Sequence, residues 1–147
     1  MSSLYFHLLK SSDTFQKLKF RDSYIARVDG SCCTNAESLF DNIAAAFEFP
    51  DYFGKNLDAL YDCLVDLEWI PQDKIILFFY HTENLLAGET NDHDFLEDLM
   101  STLYDVCISW DLGQDELISP KKFEVYMVLS PALRHVLDSN EIEYQIL

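Results

Sequence analysis

The chain has 147 residues, 49% hydrophobic and 24% charged, the size and balance of one globular domain with a sizeable core and no room for a second. Its 26 Asp and Glu against 10 Lys and Arg give a formal net charge of −16, which argues against binding to nucleic-acid phosphates or anionic membranes. An acidic surface attracts a basic macromolecule or merely keeps a protein soluble, and charge alone leaves both readings open.

Met1 to Lys10 has no basic residue ahead of its short apolar stretch and no small-residue cleavage site, so it does not read as a signal peptide. Leu4 to Leu9 reads as an added strand. Tyr24 to Asp29 alternates and is closed by Gly30, as a strand would be. Thr34-Asn-Ala-Glu37 then has the spacing of a capping box, and Leu39, Phe40, Ile43, Ala44 and Phe47 recur at helical spacing until Pro50. Asn56 caps a second helix to about Leu67. Lys74 to Tyr80 is apolar on both faces, as a strand between two layers should be, and its run from Ile75 to Tyr80, the longest in the chain, is far too short for a bilayer.

A long helical stretch runs from Asp92 to about Leu112, with Gly113 as its stop. Phe123 to Leu129 is a strand, Ser130-Pro131 opens a short helix, and Ile142, Tyr144 and Ile146 alternate as an edge strand would. No linker or repeat divides the sequence. The expectation is a single α/β domain over 1–147, with a small, mainly parallel, three-stranded sheet packed against helices and extra edge strands from the terminal extensions. Cys32, Cys33, Cys63 and Cys107 show no C-x-x-C spacing and read as reduced thiols of a soluble, cytoplasmic protein.

Catalytic signatures are missing: there is no phosphate loop, G-x-G-x-x-G, G-x-S-x-G or H-E-x-x-H. Asp92-His93-Asp94 has the residue types for a metal or for acid–base work, yet acids at a helix start are what the dipole favours anyway. Carboxylates are too abundant here for any pair to single out a glycosidase. The sequence therefore points away from an enzyme and implies no metal and no cofactor.

The informative segment is Asp51 to Leu67. As a helix from Asn56 it places Leu57, Leu60, Leu64 and Leu67 on one stripe and Asp58, Asp62 and Asp66 together on the opposite face. Like charges at this spacing cost about 0.2–0.5 kcal/mol per pair. A solvated helix face is the bland explanation. Against it, Tyr52, Phe53 and Tyr61 flank the row and Trp69 lies just beyond; aromatics beside carboxylates are typical anchors of a protein interface, the alternative for some of them being the core. Gly54 before Asn56 suggests a turn that holds the aromatic loop against the first carboxylate. Such a face suits capture of Arg and Lys side chains, and a helix of this kind would imitate RNA phosphates in a ribonuclease cleft.

Tyr52-Phe-Gly-Lys-Asn-Leu-Asp-Ala-Leu-Tyr-Asp-Cys-Leu64, preceded by Phe49-Pro50-Asp51, closely resembles the central motif of the barstar family, intracellular inhibitors of a secreted ribonuclease. The compatible element order extends the resemblance over a core of about 24–130, leaving 1–22 and 131–147 as extensions. The resemblance implies a barstar-like fold, no enzymatic activity, and a monomer that binds one cationic ribonuclease or nuclease toxin as an immunity protein or antitoxin, with Tyr52, Asp58 and Asp62 entering its active site. Tyr61 stands where the family has Trp. The family's Gly-Trp loop is replaced by Asp66 and Leu67, with Trp69 two residues later, and Asp92 or Asp94 is the candidate for a further acidic contact. The expected partner surface comprises Tyr52, Phe53, Gly54, Asn56, Asp58, Tyr61, Asp62, Asp66 and Trp69. The alternative is an acidic adaptor for a basic protein that is not a nuclease.

Overall fold

The structure, a computed structural model, describes residues 4–88, 92–113 and 120–147, without the side chains of 92–94. In chain order the elements are β1 (Phe6–Leu9), α1 (Ser12–Lys17), β2 (Ser23–Asp29), α2 (Ala36–Phe47), α3 (Leu57–Leu64), β3 (Lys74–Tyr80), α4 (Asp92–Leu112), β4 (Lys122–Val128), α5 (Pro131–Ser139) and β5 (Tyr144–Ile146). The strands form one five-stranded sheet in the order β2-β3-β4-β1-β5, every pair parallel.

The three strands expected from the central sequence are β2, β3 and β4. The N-terminal strand is not an edge strand: β1 lies between β4 and β5, and all four of its residues are buried. A strand covered on both faces carries no alternation, which is why its place inside the sheet was illegible. The edge on that side is β5.

Alternation in the sheet sorts side chains to two sides. Ala26, Val28, Ile75, Leu77, Phe79, Phe123, Val125 and Met127 point to the main core, where Leu39, Ile43, Leu60, Leu64, Leu99, Leu103 and Leu133 meet them from α2, α3, α4 and α5. Ile76, Phe78 and Tyr126 point the other way, toward Phe15 of α1. The leftward step from β1 to β2 thus uses the opposite face from the rightward steps, as right-handed crossovers require.

Two boundaries differ from expectation. The capping box of α2 is built by Asn35 and Ser38, whose side chains exchange bonds with each other's backbone N–H, and not by Thr34 and Glu37. Thr34 instead gives its carbonyl to Gly88 N–H at 2.6 Å. Helix α3 ends at Leu64, three residues early. Asp66 and Leu67 N–H both turn back to the Cys63 carbonyl, and Leu67 takes a left-handed φ of 49° so that its side chain still reaches the core. Helical periodicity cannot see that turn, because it keeps the apolar residue buried.

Candidate partner-binding surface

The approach to α3 is a short loop held from three sides. Glu48 closes α2 with a left-handed φ of 55°, and Phe53 N–H bonds to the Pro50 carbonyl at 3.1 Å. The half-buried Phe53 ring packs edge-on against Phe49 and Phe40, with centroids 4.9 and 6.0 Å away, and Phe40 in turn meets Phe95 of α4. Phe53 is therefore an anchor of the loop rather than part of its exposed surface. Tyr52 beside it is 77% exposed.

The turn itself is not made by Gly54. A Cβ there would meet only ordinary contacts at 3.5 Å, while Lys55 is the residue in the left-handed region, at φ 50°. Its ammonium bonds Asp41 of α2 at 2.8 Å, tying the turn to the neighbouring helix and pushing the lysine pKa up through that hydrogen bond and charge. Asn56 caps α3 by accepting Ala59 N–H at 2.7 Å and donates to the Gly54 carbonyl at 3.3 Å. Asn56 thus positions the helix.

Along α3, Leu60, Cys63 and Leu64 are buried and Leu57 is half-buried. Asp58 and Asp62, one turn apart, are exposed on the opposite side. Asp66 does not continue this row, because the helix has ended; it is half-buried in the turn. Cys63, between the carboxylates in sequence, has its thiol pushed up by burial and then by Asp66 and Asp62, which leaves it unreactive.

Tyr61 and Trp69 are fixed inward. The Tyr61 hydroxyl and Ser109 Oγ of α4 share a hydrogen bond of 2.5 Å, and the next residue, Trp110, donates its indole N–H to the Leu64 carbonyl at 2.9 Å. Helix α4 thereby grips α3 near its end. Trp69 donates to the Phe47 carbonyl at 2.8 Å and meets Phe49 edge-on, so it braces the loop. Ser109, Trp110 and the Lys55–Asp41 pair had no sequence signal, since each joins positions far apart in the chain.

The arrangement therefore presents Tyr52, Asp58 and Asp62 to solvent on a rigid support. The side chains of Asp92, His93 and Asp94 lie outside the described residues. Among the described residues no group of three or more His, Cys, Asp or Glu is placed to hold a metal, and no helix is long and apolar enough to cross a membrane. All four cysteines are free, with Cys33 pushed up to about 11 by burial and by Cys32 and Asp29.

A family model described as Barstar (barnase inhibitor) matches residues 24–128, the span from β2 to β4. A Bacillus subtilis (strain 168) protein named "Putative ribonuclease inhibitor YrdF" is 35% identical over 65 residues, 44% of this chain and 71% of that protein. The matched span holds the whole loop and helix just described, and with these two likenesses the chain belongs to the barstar family.

Proposed function

We propose that this protein inhibits a cationic ribonuclease by laying α3 and Tyr52 into its active site, one inhibitor to one enzyme, as a cytoplasmic immunity protein without catalytic activity of its own. The family description speaks of a barnase inhibitor and the relative's name of a ribonuclease inhibitor. The observation that carries the reading to particular residues is the exposure of Asp58 and Asp62 together on one face of a helix whose surroundings are otherwise tied down. Their mutual repulsion costs about 0.2–0.5 kcal/mol, which folding alone would not select. A guanidinium or ammonium arriving from a partner turns that cost into charge-assisted hydrogen bonds, as a phosphate diester would receive them.

The test uses a ribonuclease retained by the immobilised chain. One equivalent of the protein should abolish its RNA cleavage, and Asp62→Ala should weaken the complex by about 2–5 kcal/mol in calorimetric titration while leaving thermal stability unchanged. Asp66→Ala should lose less, since Asp66 is half-buried and off the helix row. Equal losses at the two positions would displace the interface from α3, and a retained protein without nuclease activity would favour the adaptor.

A further inference from the structure

Charge is unevenly distributed in this chain. Residues 1–27 carry five cations against Asp13 and Asp22, a net +3, whereas the remaining residues carry five cations against 24 acids, a net −19. At the start of the sheet one of these cations, Arg21, comes together with two from elsewhere. Lys74 opens β3 and Lys122 opens β4, and the two are register partners on adjacent strands. Ser23, the β2 partner of Lys74, follows Arg21 by two residues. Three cations thus stand across three strands, an arc of about 10 Å at the usual strand spacing.

Like charges opposite one another weaken a sheet, so the arc needs a reason. The buried Glu124 supplies only part of it. Glu124 Oε2 is already bonded by His7 Nε2 at 2.8 Å and the Tyr126 hydroxyl at 3.2 Å; Lys122 Nζ stands 3.4 Å from Oε1 with its side chain 69% exposed. Arg21 makes no ion pair among the described residues, and Lys74 packs its ammonium 5.5 Å from the Phe20 ring. Arg21, Lys74 and Lys122, with Pro71, Asp22 and Asp73, line an open cleft of about 650 Å³, within the size range of small-molecule sites. Gln72 on the same wall keeps its side-chain oxygen buried without a hydrogen-bond partner, so swinging the amide outward to donate to a ligand forfeits nothing at that oxygen. Lys121 holds the backbone of the Gln72 wall by donating to the Ile70 and Gln72 carbonyls at 2.8 and 2.7 Å.

We propose that this cleft binds a small polyanion of diphosphate chemistry, with Arg21, Lys74 and Lys122 as its ligands. A single carboxylate would meet one cation of the arc, whereas a diphosphate can engage all three. Lys74 and Lys122 alternate onto the sheet face that α1 covers, opposite the face that carries α3, so the proposal stands apart from ribonuclease inhibition.

Titration calorimetry of the full chain with inorganic pyrophosphate should show one saturable site, weakened about tenfold or more by Arg21→Met and by Lys74→Met. Arg21→Met breaks no ion pair, so it keeps the test valid even if Lys74→Met disturbs the packing on Phe20. Pyrophosphate should raise the melting temperature of the natural chain and not that of the variants. ADP binding more tightly than pyrophosphate would identify a nucleotide tail as the source; equal binding would identify the phosphates alone. Absence of saturable heat up to about 10 mM pyrophosphate, or equal affinity in the variants, overturns the proposal.

Discussion

The two faces of the sheet solve burial differently. On the side covered by α2, α3, α4 and α5, the inward residues of β2, β3 and β4 are apolar and almost all fully buried, apart from the half-buried Tyr24, whose hydroxyl donates to the Ala46 carbonyl at 2.6 Å. On the side covered by the six-residue α1, the same strands present Arg27, Lys74, Glu124 and Tyr126 among the apolar residues, and His7 of β1 stacks on Tyr126 with centroids 4.4 Å apart. The first face is held by hydrophobic area and carries the acidic helix on its outside. The second is held in part by polar pairing, where each buried group must be satisfied by a named partner.

If the helix-covered face supplies most of the stability, truncation there should cost most. Leu64 is fully buried beneath the acidic row. Leu64→Ala should destabilise by about 2–5 kcal/mol in urea denaturation, because the closely packed side leaves a cavity that collapses only partly. Ile25→Ala, at a half-buried position facing α1, should cost clearly less. Similar losses at both positions would mean that the two faces contribute alike.

The polar face should reveal itself through pH. Burial by itself would raise the Glu124 acid, but the hydrogen bond and charge of His7, with Lys74 and Lys122, outweigh it and hold the group down at about 2. A depressed acid stabilises the fold fully above its unfolded value, near 4.5, and that contribution disappears as pH falls through about 2. The natural chain should lose stability over that window more steeply than Glu124→Gln, measured as denaturant midpoints at successive pH values. Parallel curves would count against the pair as a source of stability.

Legibility in sequence followed the same division. Amphipathic α2, the apolar β3 and the Ser130-Pro131 start of α5 can be read directly, because each has a periodicity or cap confined to a few neighbouring residues. Helix α1 could not, since six residues with one buried anchor, Phe15, show no period. At the surface proper, Tyr52, Asp58 and Asp62, the positions that the resemblance carries into a partner's active site, are exposed. Tyr61, Phe53 and Trp69 have the composition of interface anchors but brace the loop and helix from within. Composition cannot separate an aromatic that faces a partner from one that faces the fold, because the deciding contacts, Ser109 and Phe47, lie 48 and 22 residues away.

The smallest effect concerns the junction between the loop and the acidic row. Helix α3 has eight residues, short enough that its ends matter, and its first-turn N–H groups depend on Asn56, whose side-chain oxygen takes Ala59 N–H at 2.7 Å. Asn56→Ala removes that acceptor and should cost about 1 kcal/mol of stability. Asn56→Asp should restore most of it, since Asp is an equally good cap. Hydrogen exchange should report the loss locally, with Ala59 and Leu60 exchanging faster while β3, buried in the main core, is unchanged. Because the cap also fixes where Asp58 begins the row, the proposed interface predicts that Asn56→Ala weakens ribonuclease binding with both carboxylates still present. Full affinity in a variant with a frayed first turn would show that Asp58 finds its partner without being held in place, and that only the end of α3 gripped by Ser109 and Trp110 must be rigid.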